Sequence, residues 1–175
     1  MTIANDPENW ADTENSLGDA LQELGKRESD RDYLEQAITS YQQAAKVQTI
    51  DRDPISWAAT QNSIGSTDEA LAMLQTGIAA IPHLLQAVNS YQAALKVTTP
   101  DNDFMNWLSN QRNLARAESE LGSREPGIDH LQQAASDYRE ELKYLSPDRS
   151  PTEWKEANRN LNQVLDLLHQ RGATG

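Results

Sequence analysis

The chain has 175 residues, 37% of them hydrophobic, and a formal charge of −12; its mean hydropathy is −0.75 and its pI about 4.6. That balance repels phosphate backbones and anionic headgroups, so no nucleic acid and no membrane is expected as a partner. With no cysteine there are no disulfides, thiolate nucleophiles or usual zinc ligands, and the opening "MTIANDPENW" has no basic segment leading into an apolar run, so the expected localisation is cytoplasmic.

The first element is announced by Asp6-Pro7, a capping side chain before a proline at the first helical position. It carries "NWADTENSLG" from Asn9, in which Trp10, Leu17, Leu21 and Leu24 keep one helical face, and Gly25 reads as its stop. A second helix follows, "YLEQAITSYQQAAKV" from Tyr33, with Leu34, Ala37, Ile38, Tyr41, Ala44 and Ala45 at steps of three and four. After the turn "TIDRD" the same sentence begins again. Asp53-Pro54 caps "SWAATQNSIG" from Ser56, Gly77 reads as a stop, and "HLLQAVNSYQAALKV" starts at His83. The apolar window around Gly77, "GIAAIPHLLQAV", is too short to span a bilayer. A third round runs through Asp103-Phe104, "NWLSNQRNLA" from Asn106, the stop Gly122 and "HLQQAASDYREELKY" from His130. A fourth opening, "EWKEANRNLN" from Glu153, stands behind Ser150-Pro151, and Ser150 with Glu153 forms the pattern of a capping box.

The tryptophans at 10, 57, 107 and 154 are 47, 50 and 47 residues apart, a period that signals a solenoid. No segment alternates at period two. The expected fold is therefore all-α: a right-handed α-solenoid of three helix-turn-helix repeats (7–53, 54–103, 104–150) plus a capping helix over 151–171, seven helices in a single domain. Trp154, Ala157, Leu161, Val164, Leu165 and Leu168 share a face of that last helix, which covers the end of the stack. The tryptophans are expected to lie buried between pairs. Repeat two is three residues longer, and the match of "DALQEL" from Asp19 with "EALAML" from Glu69 places the extra residues between Trp57 and Glu69, as an added turn on the first helix of that repeat.

These motifs resemble the tetratricopeptide repeat: Leu17-Gly18 with Ala37, Tyr41 and Ala44, and Ile64-Gly65 with Ala87, Tyr91 and Ala94. The third unit keeps Leu114, Ala134 and Tyr138 but has Ala115 for the glycine and Glu141 where an alanine belongs. Period alone also fits HEAT or armadillo units; the alanine-tyrosine-alanine spacing separates them. The long-helix form with "WA.TQN.LG" is similar to a bacterial variety often attached to signalling or caspase-like peptidase domains.

The sequence offers no catalytic residue, cofactor motif or metal site. His83 and His130 hold the same place in successive repeats and, together with His169, form no metal-ligand spacing, and acid pairs such as Glu118/Glu120 and Glu140/Glu141 read as solvated helix surface. The resemblance implies a concave groove lined by the first helix of each pair, with exposed positions two before and two after the leucine of Leu-Gly. These are Asn15 and Asp19, Asn62 and Ser66, Arg112 and Arg116, and, on the last helix, Arg159 and Gln163. Arginines suit bidentate capture of carboxylates, so the expected partner is a peptide or protein segment with an acidic end. The alternatives are a regulatory or sensor subunit for a peptidase-like effector and a scaffold that self-associates head to tail. Arg112 and Arg116 are set against a purely structural role in which they pair with Glu118, Glu120 or Glu156.

Overall fold

A computed structural model describes residues 6–172. Among these residues the chain forms seven α-helices and no strand: α1 Pro7–Glu28, α2 Arg31–Ala44, α3 Pro54–Met73, α4 Ile81–Leu95, α5 Phe104–Arg124, α6 Asp129–Leu142 and α7 Pro151–Gln170. The first five residues, part of the segment read for a leader, lie outside the described range. The helices pack as pairs, α1 with α2, α3 with α4 and α5 with α6, and each second helix also packs on the first helix of the next pair. This is the layout of a tetratricopeptide-like helical solenoid.

Three of the four predicted caps form as expected. The carboxylates of Asp6, Asp53 and Asp103 accept from the backbone N–H of Asn9, Ser56 and Asn106, each satisfying a donor that the first helical turn leaves unpaired. Ser150 does not: its hydroxyl bonds back to Ser146, so the capping box with Glu153 is absent.

The glycines do different work from that predicted. Gly25 and Gly122 lie inside α1 and α5, which continue to Glu28 and Arg124. A Cβ on Gly25 would come within 2.8 Å of Leu34, and one on Gly122 within 2.8 Å of Leu131. They are there so that paired helices can approach. The left-handed residue that ends α1 is Ser29, at φ 55°. Gly18 and Gly65 serve the same purpose one level down, where an added Cβ would stand 2.6 Å from the ring of Tyr41 and 2.7 Å from that of Tyr91.

The longer second repeat is also corrected. α3 has 20 residues against 22 in α1, so it gains no turn. Gly65 meets Tyr91 as Gly18 meets Tyr41, and Ala72 clusters with Leu84 where Gly25 meets Leu34. The offset of 47 thus holds along the whole helix. The three extra residues fall in the connection, which turns through Gly77 at φ 58° and a short 3₁₀ helix, Gly77–Ala80, before α4.

Tyr41, Tyr91 and Tyr138 are wholly buried between helices, as are the alanines around them. Of the tryptophans only Trp107 is fully buried; Trp10, Trp57 and Trp154 are half-buried. The difference has a local cause. Tyr144, where the first two repeats have Val47 and Val97, packs edge-on against Trp107 with ring centroids 4.6 Å apart, and Phe104 covers the indole further.

Candidate functional site

The residues predicted to line the groove stand on α1, α3, α5 and α7, and most already have partners. Asn15 donates to Gln48 at 2.8 Å and accepts from the Thr60 hydroxyl at 3.2 Å. Asn62 donates to Asn110, which in turn donates to Thr98. Gln48 and Thr98 hold equivalent places, as do Thr60 and Asn110, so both asparagines belong to a polar ladder that joins one repeat to the next. Asp19 is exposed and accepts from the Tyr41 hydroxyl at 2.7 Å.

A second ladder uses Ser66 and Arg116. Gln22 of α1 reaches across to α3 and donates to Ser66 at 2.7 Å. Glu69, the residue 47 positions after Gln22, reaches across to α5 and accepts both Nε and Nη2 of Arg116, at 3.0 and 2.7 Å. The two links are one repeat-to-repeat contact written first as amide and hydroxyl, then as an ion pair. Arg116 nevertheless keeps a side chain 56% exposed, while Glu69 is nearly covered.

Arg112 donates to Glu141 at 2.8 Å. Glu141 is wholly buried, at the position held by Ala44 and Ala94 in the other repeats. The buried carboxyl is matched by the change from asparagine to arginine opposite it, since Asn15 and Asn62 become Arg112. Burial holds the Glu141 carboxyl above its ordinary range even beside the guanidinium, and Glu141 Oε2 and Arg112 Nη2 find no partner. The partners of the two arginines are therefore Glu141 and Glu69, neither of which was anticipated. Arg159 and Gln163 are exposed on α7 and make no hydrogen bond or ion pair among the described residues.

Two acids read as solvated surface are buried instead: Glu118 and Glu141. Glu118 meets His130 Nδ1 at 2.5 Å, and Asp68, its equivalent in repeat two, meets His83 Nδ1 at 3.0 Å. Desolvation raises both carboxyls while the histidines pull them back. The histidines thus satisfy buried acids one repeat apart.

Where α1, α3 and α5 come together lies a cavity of ≈ 750 Å³. Its walls are Leu34, Ala70, Ala72, Met73, Leu74 and Leu84, and its polar edge includes Lys26, Ser66, Glu69, Arg116 and Glu120. It gathers Ser66 and Arg116 from the predicted set and leaves out the other six. Its edge charges are unequally engaged. Glu69 pairs with Arg116 and Glu120 with Arg124, whereas Lys26 makes no ion pair among the described residues. Desolvation lowers the Lys26 pKa, with Arg116 adding to the effect and Glu23 and Glu69 opposing it. Lys26 was not singled out in the sequence because nothing in its spacing marks it.

Residues 10–50 match the family model of the tetratricopeptide repeat. No curated protein and no solved structure matches the chain.

Proposed function

We propose, from a chain whose residues 10–50 form a tetratricopeptide repeat, a family of generally non-catalytic protein-interaction modules, that this protein is a non-enzymatic adaptor. It binds a peptide or protein segment along the surface of α1, α3, α5 and α7. The single domain divides as 7–53, 54–103 and 104–150, with 151–171 as its cap. The observation that carries this reading is the cavity at the meeting of α1, α3 and α5. Its volume falls within the range of roughly 300–1,000 Å³ that suits small organic groups, and Leu34, Met73 and Leu84 give it an apolar body. Among the described residues Lys26 is its unengaged cation, and Arg116 stands beside it with a side chain more than half exposed.

The chemistry that fits is an apolar side chain seated in the cavity with a carboxylate beside it. The carboxylate meets Lys26 and then Arg116, and Asp19, Arg159 and Gln163 contact flanking residues of the same segment. Asn15, Asn62 and Ser66 support the surface through the contacts between repeats, and Arg112 through its bond to Glu141 within the third repeat.

Selection from a random peptide library displayed on phage tests this. Selected peptides should pair a large apolar residue with an acidic one. Met73→Glu, at a side chain 83% exposed, should abolish their binding, and Lys26→Ala should remove the preference for the acid. Peptides that bind Met73→Glu as tightly as the parent would place the site elsewhere.

A further inference from the structure

The repeat supplies an internal comparison for every surface of the stack. Consider the face of each first helix that meets the preceding pair. In α3 it is Thr60, Ile64, Thr67 and Leu71; in α5, Asn110, Leu114, Ala117 and Leu121; in α7, Ala157, Leu161, Val164 and Leu168. All but the half-buried Leu161 are buried. They pack on the second helix of the pair before: Ile64 on Ala37 and Tyr41, Leu114 on Ala87 and Tyr91, and Val164 on Ala134 and Tyr138.

The same positions in α1 are Thr13, Leu17, Ala20 and Leu24. They keep the apolar character of the covered faces, yet Thr13 and Ala20 are exposed and Leu17 is 48% exposed. The other end of the stack is built differently. The positions through which a first helix receives its own partner are Ala11, Gly18 and Gly25 in α1 and Leu108, Ala115 and Gly122 in α5, all buried. In α7 they become Lys155, Asn162 and His169, all exposed. One end is closed by polar side chains, and the other presents an unaltered docking face.

We propose that the outer face of α1 is a docking surface for a helix of another protein. That helix presents the alanine–tyrosine pair, Ala37 with Tyr41 in α2 and Ala87 with Tyr91 in α4, that these helices present to the helix after them. The interface between repeats, continued one step outward, fixes this chemistry: small residues let the helix approach Leu17 and Ala20, and an aromatic fills the space between. A second copy of the chain does not supply it. Its corresponding pairs are buried, and face-to-face pairing of α1 sets Glu14 and Glu23, which flank the face, against themselves on chains that each carry −12. The surface is separate from the cavity, so either proposal stands if the other fails.

The test uses the intact chain and a labelled helical peptide with the sequence of residues 31–48, locked by a hydrocarbon staple between positions 35 and 39, both exposed in α2. Fluorescence anisotropy should show saturable binding, weakened at least tenfold by Leu17→Glu and by Ala20→Glu. Lys155→Ala at the far end and Met73→Glu at the cavity should leave it unchanged. A peptide with serine at the position of Tyr41 should bind at least tenfold more weakly. Both glutamate variants alter exposed side chains, and unchanged melting curves check that they fold. Absence of saturable binding, equal binding to Leu17→Glu, or sedimentation showing that the chain alone dimerises through Leu17 would overturn the proposal.

Discussion

Glu69 of α3 receives Nε and Nη2 of Arg116 from α5, and its Oε2 also accepts the Tyr91 hydroxyl at 2.5 Å. One carboxylate therefore ties two repeats together and satisfies the buried tyrosine at their centre. Losing Glu69 strands both donors, whereas losing Arg116 leaves Glu69 still bonded to Tyr91. Glu69→Ala should accordingly cost more stability, about 1–3 kcal/mol, the range for leaving a buried polar group unpaired. Because the guanidinium is more than half exposed, Arg116→Ala should cost only about 0.5–1 kcal/mol. Denaturant melts of the two variants and the double variant check this, with a coupling of about 0.5–1 kcal/mol expected between them. Equal losses for the two single variants would mean that the Tyr91 contact is idle.

Gly18→Ala tests why the repeat keeps its glycine. In an isolated helix the change should gain about 1 kcal/mol. Here the new Cβ would stand 2.6 Å from the Tyr41 ring, and both the ring and its hydroxyl are held, the latter by Asp19. Overpacking of this kind costs about 1–3 kcal/mol, so a net loss of stability is expected. A melting temperature at or above the parent's would show that α1 and α2 slide apart freely. The same substitution at Gly77 should also destabilise, for a different reason: there is open space around it, but φ is 58°.

Asp137 gives a pH dependence with a definite sign. It stands where the other repeats have Ser40 and Ser90, is buried, and leaves Oδ2 without a partner. Burial pushes its carboxyl up to about 6, with Glu118 and Glu140 acting in the same direction and hydrogen bonds from Gln133 and Gln111 opposing. The folded chain thus holds this proton more tightly than the unfolded chain. The charged form weakens the fold above pH 6, and stability from this group rises as pH falls through 6 towards the ordinary 3.8. Asp137→Asn should therefore stabilise the protein by about 1–2 kcal/mol at pH 8, less than the roughly 3 kcal/mol of a fully realised shift. The gain should disappear by about pH 4. Thermal melts of parent and variant across that range check it; a constant difference would mean that the carboxyl does not titrate where its burial places it.

The order of helices was legible because their caps, stripes and period agree with one another. The errors arose where one letter has two physical uses. Gly25 and Gly122 follow an apolar run as stop signals do, yet they are spaced to admit Leu34 and Leu131 from the facing helix. Likeness of "DALQEL" to "EALAML" suggested a longer helix. Register is set instead by what each residue touches, and Gly65 and Ala72 keep their partners at an offset of 47. At the candidate site, the partner of Arg112 left a trace in Glu141, which breaks the alanine pattern. The partner of Arg116 was readable only by setting Glu69 beside Gln22. Lys26 left no trace, since its setting depends on a cavity lined from five helices, α1 to α5.

The last helix is held by more than its apolar face. Arg171, just beyond α7, donates through Nη1 to the carbonyls of Gly122, Glu125 and Gly127 at 2.8, 2.8 and 2.6 Å. These acceptors lie at the end of α5 and in the connection to α6. The last carbonyls of a helix lack partners within it, so one guanidinium fastens α7 and closes α5 together. Hydrogen bonds from a charged donor contribute about 1.5–3 kcal/mol, and Arg171→Ala should lose about that much. Arg171→Lys should recover only part of it, because an ammonium cannot spread its donors in one plane. Hydrogen exchange should show the loss concentrated in α7 and the end of α5, with α1 and α2 little changed, since coupling in a stack runs between neighbours. Removing α7 altogether, by ending the chain at Ser150, exposes Leu131, Ala134 and Tyr138, which now pack on Val164 and Leu168. That shortened chain should aggregate or melt far below the parent. If it melts like the parent, or if Arg171→Ala exchanges uniformly faster along its whole length, α7 is not the element that closes the stack.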